Sequence, residues 1–135
     1  MLVRTGSEDT LRHAYSDKRH SNFIHKDTTW TIGTTGGTTF DSISSAFNYI
    51  RLNNVMVSPG KTLTLKINDG YIAKEQVLIE NMNLNGVVLQ SDSLISVDLR
   101  EVTLNTLDSY KYFIGLNRST ALTIKAKFDF TIDRK

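Results

Sequence analysis

Apolar and polar residues alternate one by one through much of the chain after residue 60. Leu63, Leu65 and Ile67 alternate with threonine and lysine, and the run stops at the Asn-Asp-Gly turn signal of residues 68–70. The clearest alternation covers residues 121–133, where every even-numbered position carries an apolar side chain. This period is typical of β-strands with one buried face. Further short strands are predicted around Trp30 and Ile32 and at Val77–Ile79, Met82–Leu84, Val87–Leu89, Leu94–Leu99, Val102–Leu107 and Tyr112–Leu116.

One segment has the period of an α-helix instead. Between residues 38 and 50, apolar residues fall at i, i+3, i+4 and i+7 and form a single stripe, which consists of Ile43, Ala46, Phe47 and Ile50. Asp41 or Ser42 can accept hydrogen bonds from the first turn, and Asn53 and Asn54 tolerate the left-handed conformation that ends a helix. The pattern therefore predicts a short amphipathic helix at about 41–52.

The first 28 residues are densely polar and keep neither period. They contain all three histidines and a nearly balanced set of five basic and four acidic side chains. We expect residues 1–28 to form an N-terminal arm for docking or assembly, with one short helix around Asp9–Tyr15. Residues 29–135 are then expected to form one β domain.

Two architectures fit many short strands with few helices, namely an antiparallel sandwich or barrel and a parallel β-helix. The apolar runs at 63–67, 87–89 and 112–116 recur at intervals of the length that solenoid turns use. The single helix precedes these strands, as expected of a cap that covers the exposed end of a stack. Both features favour the parallel β-helix.

A known family shows the same order of elements. The stretch from Gly36 to Gln90 resembles the opening of the right-handed parallel β-helix of bacteriophage tail fibres and tailspikes, on four motifs: TTFDSISSAFNYI, KTLTLKI, NDGYI and VLIENMNLNGVVLQS. The resemblance covers about 55 residues and implies a mainly β fold, a short right-handed parallel β-helix with an N-terminal capping α-helix, preceded by an irregular arm. Such proteins usually continue through many more coils, so two or three coils are expected here.

Composition narrows the range of partners. The formal net charge is only +2, which disfavours nucleic acid, and no cysteine is present, which excludes disulfides, thiolate zinc sites and cysteine nucleophiles. No apolar run approaches the roughly 20 residues that cross a bilayer, so we expect no membrane insertion.

The acidic residues do not form a catalytic pattern. Asp98 and Glu101 are the most suggestive pair, because polysaccharide-cutting tailspikes use two carboxylates, but positions three apart on a strand face opposite sides. Asp69 is explained by its turn, and Asp92 by a solvated loop. We therefore predict that the chain is not an enzyme and name no catalytic residue.

Metal and cofactor sites are not predicted either. The histidines, His13, His20 and His25, have spacings that fit no tight ligand pair, although a trimer could bring three copies of one histidine together. Glycines at 33, 36 and 37 resemble a phosphate loop only superficially, since no Lys-Ser or Lys-Thr follows. Aromatic residues could stack on sugars, although packing is the commoner use, and they are Trp30, Phe40, Tyr71, Tyr110 and Tyr112.

These observations predict a structural or adsorption component of a phage virion, made in the host cytoplasm, such as a tail fibre, tailspike or collar fibre. It would act by binding and assembly, as a homo-oligomer and most simply a homotrimer, with residues 1–28 docking on other tail or collar proteins. An alternative is a carbohydrate-binding or polysaccharide-degrading module that recognises a host surface glycan. A third hypothesis is an unrelated antiparallel β-sandwich adaptor.

Overall fold

The computed structural model describes residues 23–107 and 110–130. The chain is mainly β, with parallel strands stacked as a β-solenoid of about three turns and one short helix, as the sequence predicts. The elements are β1 Phe23–Ile24, β2 Thr28–Ile32, α1 Ile43–Leu52, β3 Met56–Val57, β4 Leu63–Ile67, β5 Ile72–Ala73, β6 Val77–Glu80, β7 Val87–Val97, β8 Thr106–Leu107, β9 Tyr110–Lys111, β10 Ile114–Asn117 and β11 Thr123–Asp129.

The main sheet contains strands from successive turns, and β5, which follows β4 in the same turn, also pairs in parallel with β7. Its order is β11-β7-β4-β2, and all of its pairs are parallel. β6 and β10 form a second parallel pair on another face of the solenoid. Within the described residues the only antiparallel pair is the short one between β8 and β9. The antiparallel sandwich or barrel considered from the sequence is therefore wrong.

The register of the main sheet aligns apolar residues of neighbouring strands in rows. Trp30, Leu65, Leu89 and Ile124 occupy one row across the four strands. Leu65 and Leu89 are completely buried. Their neighbours along each strand face outward and are partly exposed. Burying a side chain of this size stabilises the fold by about 1.5–3 kcal/mol. The alternation of the sequence thus supplies the inward rows that hold successive turns together.

The pairing of β7 with β11 is irregular in its middle, where extra residues of β7 form a bend. The pairing between β11 and β7 shifts between Lys125 and Lys127, so three residues of β7, at 91–93, lie opposite the single residue Ala126 of β11. Ser91 is buried at the bend, and its hydroxyl accepts a 2.9 Å hydrogen bond from the Lys127 backbone N–H. This side chain replaces the ladder bond that the bend removes.

Helix α1 closes the front of the solenoid. The predicted stripe of Ile43, Ala46, Phe47 and Ile50 is buried, and the helix packs against β6. Ser42 is its N-cap and accepts from the backbone N–H of Ser45 at 3.0 Å, in a capping box. The helix and its stripe are thereby confirmed.

A carboxylate from the next turn also holds the start of this helix. Glu75 accepts from the backbone N–H of Ser44 at 2.8 Å and of Ile43 at 3.1 Å, and the Tyr71 hydroxyl donates to the same carboxylate. Burial, and then the bond to Glu75, raise the pKa of Tyr71 well above its ordinary value. A negative charge at the N-terminus of a helix is favourable, so Glu75 ties the first turn to the second.

Several predicted boundaries differ from the structure. The strand predicted at Val102–Leu107 contains only β8, and Met82–Leu84 forms only an isolated bridge, between Asn83 and Thr120. Residues 23–28 of the expected arm form β1 and the first residue of β2. The helix expected around Asp9–Tyr15 lies outside the described residues.

We predict that Glu75→Gln lowers the free energy of unfolding by about 1–3 kcal/mol, because a charged acceptor at a helix N-terminus becomes neutral. Denaturant unfolding followed by circular dichroism measures this change. Glu101→Gln is the matched control, since Glu101 is exposed. Equal unfolding midpoints for the two variants would contradict the role given to Glu75.

Candidate functional site

The last described turn of the solenoid is open on one side. β11 pairs with β7, and its other edge has no partner strand among residues 23–107 and 110–130. Ile124 continues the inward row of Leu89 but is 46% exposed, whereas Leu89 is completely buried. An unpaired strand edge with an apolar row beside it is a ready surface for association.

Aromatic rings extend this apolar surface. Phe113, Phe128 and Phe130 form a cluster in which the ring of Phe113 lies 5.1 Å from that of Phe128 and 5.7 Å from that of Phe130, both edge to face. Phe130 is 58% exposed. We call β11 together with this cluster the open turn.

A second candidate is a groove between the outer flank of α1 and the outward face of β6, which we call the α1 groove. Its main cavity measures about 550 Å³ and is lined by Phe47, Asn48, Arg51, Leu78, Glu80, Asn81 and Met82. A smaller cavity of about 210 Å³ shares Arg51, Asn81 and Met82 and extends to Asn54, Met56 and Asn83. The groove thus combines an apolar floor with amide and charged groups along its rim.

The polar groups of the α1 groove are available to a ligand. Arg51 forms no ion pair within the described part of the chain and donates only a long 3.5 Å bond to Asn48. Asn54 and Asn81 have left-handed φ angles of 49° and 56°, which asparagine tolerates better than most residues. Glu80 accepts a 3.2 Å bond from the Asn117 amide and has capacity for further donors.

The acidic pair singled out from the sequence is not poised for acid–base chemistry. Arg100 donates to both carboxylate oxygens of Asp98, at 2.9 and 2.8 Å. These bonds hold the pKa of Asp98 down to about 2, so the carboxylate stays ionised at neutral pH. Glu101 is exposed at the turn that follows.

The other two aspartates occupy structural positions. Asp69 accepts a 2.8 Å bond from the Ser93 hydroxyl and precedes Gly70, whose φ of 86° fits the predicted turn. Asp92 forms an exposed 2.8 Å ion pair with Lys66. Hydrogen bonding and charge from Asp92 raise the pKa of Lys66.

The residues weighed as metal or phosphate ligands form no site within the described part of the chain. His25 Nδ1 is 3.1 Å from the Ser58 hydroxyl, while His13 and His20 lie outside the described residues. In residues 23–107 and 110–130 no group of three His, Cys, Asp or Glu side chains is placed to hold a metal ion. The loop of Gly33, Gly36 and Gly37 is followed by α1, whose first N–H groups already bind a carboxylate. A phosphate would have to displace that carboxylate.

The aromatic candidates divide between surface and interior. Trp30 and Phe40 pack with Tyr49, with ring centroids 5.5–5.7 Å apart, and Tyr49 is 43% exposed. Tyr71 is buried against Glu75, and Tyr112 lies so close to Gly115 that a Cβ there would come within 2.9 Å of its ring. The Tyr110 side chain lies outside the described part. Sequence reasoning missed Tyr49, because it falls beside the apolar stripe of α1.

Comparison with known proteins found no matching family model, no similar curated protein and no similar solved structure. None of the helices in the described part is long and apolar enough to cross a bilayer.

We predict that the carboxyl of Asp98 titrates near pH 2 and that Arg100→Ala returns its pKa toward 3.8. Because the folded-state pKa is lowered, the stability that the pair contributes is present above pH 3.8 and is lost as the pH falls toward 2. Carbon-detected NMR titration of the side chain measures the pKa directly. Lys74→Ala is the control and should shift it far less, and a wild-type midpoint above pH 4 would contradict the assignment.

Proposed function

We propose that this chain is a structural module that acts by binding and assembly, and that its open turn is the surface through which it assembles. The observation that carries the proposal is the difference between the two ends of the solenoid. At the front, α1 packs against β6 and residues 38–40 hydrogen-bond to the outer edge of β2, whereas at the other end Ile124 and Phe130 are about half exposed beside an edge of β11 that has no partner strand in the described part of the chain. A partner that covers this edge removes apolar surface from water and satisfies backbone groups together.

We further propose that the assembly is a phage virion, as a tail fibre, tailspike or collar-fibre-like component made in the host cytoplasm. The support is the resemblance of residues 36–90 and the fact that its helix, strand and Asp-Gly-Tyr turn belong to one capped solenoid. Its partners would be further copies of the chain, a homotrimer in the simplest case, and other tail or collar proteins. The N-terminal segment would bind those proteins through extended contacts.

Deletion of residues 1–22 tests the virion proposal. This boundary keeps β1, which pairs in parallel with β3, and Asp27, which accepts a 3.0 Å bond from the Thr62 backbone N–H. We expect the truncated chain to keep a cooperative unfolding transition and to be lost from purified particles. Truncated chain in particles at normal stoichiometry would refute the docking role of this segment.

A second candidate function, carbohydrate binding, is favoured by the α1 groove. Sugars have hydroxyl groups and flat apolar faces. The groove offers amides that both donate and accept, one arginine and one carboxylate for the hydroxyls, and an apolar floor for the flat faces. The groove lies at the front of the solenoid, so its ligand would not compete with partners at the open turn.

Glycan-array binding with purified full-length chain tests this candidate. We expect Arg51→Ala, which removes the cation of the groove, to abolish binding, while Lys61→Ala, at an exposed position, retains it. Release of oligosaccharides from capsule would instead indicate a degrading module. If the wild type neither binds glycans nor releases oligosaccharides, the assembly function is the better proposal.

A further inference from the structure

We propose that two copies of this chain meet at their open turns, with β11 of one copy antiparallel to β11 of the other about a two-fold axis at Lys127. This inference rests on the proposed assembly function and specifies its partner, geometry and register. It follows from the alternation along β11, from the charges on its outward face and from the apolar residues left exposed beside it.

The two faces of β11 are sorted by residue number. Ile124 and Phe128 pair with the buried Leu89 and Ile95 of β7, so even-numbered residues point inward along the whole strand. Odd-numbered residues point outward, and they are Thr123, Lys125, Lys127 and Asp129. A two-fold axis through any residue pairs odd with odd and even with even positions. Apolar rows therefore continue from one copy into the other, and a second copy of this same strand is a complementary cover.

Charge and the length of overlap together select among the possible registers. An axis at Ala126 would place Lys125 opposite the partner's Lys127 twice, which is unfavourable for directly opposed like charges. An axis at Lys127 places Lys125 opposite the partner's Asp129 twice and leaves one lysine pair at the axis. An axis at Phe128 would also place Lys127 opposite the partner's Asp129 twice, so charge does not exclude it, but it would pair only residues 127–129 of the strand, against residues 125–129 for the axis at Lys127. The axis at Lys127 thus combines opposite charges with the longer overlap.

The same register covers the exposed apolar residues of the open turn. Ile124, which is 46% exposed, lies opposite the partner's Phe130, which is 58% exposed. Ala126 lies opposite the partner's Phe128. The inward rows of the two solenoids then form one continuous core across the axis.

A two-fold contact also determines whether the assembly has an even or an odd number of chains. Two chains give a dimer, and a trimer formed through other surfaces would pair end to end into a hexamer. The two-fold contact therefore replaces the lone homotrimer of the proposed function with an assembly that has an even number of chains, two or six.

Cysteine cross-linking of the full-length chain tests the register, since the chain has no cysteine of its own. Lys127→Cys places two sulfurs across the axis, where directly opposed Cβ atoms lie about 4.5–5.5 Å apart, close to disulfide geometry. Lys125→Cys is the matched control, because its own copy lies about four residues, or roughly 14 Å, along the strand. The pair Lys125→Cys with Asp129→Cys should cross-link again. We expect disulfide-linked dimers from the first and third variants only.

Charge reversal provides an independent measurement that does not depend on oxidation. Lys125→Asp should weaken the dimer roughly tenfold, because two attractive cross-strand pairs become repulsive, and adding Asp129→Lys should restore it. Dissociation constants from analytical ultracentrifugation measure both effects.

The outcomes separate this inference from the proposed function. A trimer in native mass measurement with no cross-link at Lys127→Cys overturns the two-fold contact and leaves assembly standing. A monomer at all concentrations overturns the contact and also the self-association in the proposed function. Cross-linking by Ala126→Cys and not by Lys127→Cys overturns the register, and cover by a downstream turn or by another protein would give no single-cysteine dimer.

Discussion

Every turn of a parallel solenoid depends on its two neighbours for cover. An inward row is buried only when a strand lies on each side of it, and the same neighbours satisfy the backbone groups on the strand's two edges. The row of Leu65, Leu89 and Ile124 illustrates the constraint. The first two are completely buried between strands, and the third is nearly half exposed at the edge. The two ends of the stack therefore need cover that a neighbouring turn does not supply. Both candidate surfaces, the α1 groove and the open turn, lie at these ends.

At the front end, the cover comes from the chain itself. Helix α1 supplies an apolar stripe in place of a further strand before β6, and residues 38–40 hydrogen-bond to the outer edge of β2. The first N–H groups of a helix have no partner within the helix, and Glu75 from the next turn accepts hydrogen bonds from two of them. This carboxylate couples the cover to the body, so the helix is bound at its start by charge and along its length by packing.

Patterns of near neighbours could be predicted from the sequence, whereas contacts between turns could not. The stripe of α1 and the alternation of Leu63–Ile67 are properties of short segments, and both were predicted correctly. Glu75 lies 32 residues beyond Ile43, and no local spacing indicates that they meet. Val102–Leu107 carries an alternation but pairs with no turn of the main sheet, so most of it is not strand. The α1 groove needs residues from two turns, and only the topology brings Arg51 beside Asn81.

The two candidate surfaces can act together because they lie at opposite ends of the stack. Strands of successive turns are about 4.8 Å apart, so two copies joined at β11 would hold their α1 grooves on the order of 30 Å from each other. If the grooves bind a repeating ligand such as a polysaccharide, the second groove binds at a high effective concentration once the first is occupied. Weak individual sites would then give firm attachment. Assembly through the open turn and recognition at the front are on this view two parts of one adsorption mechanism.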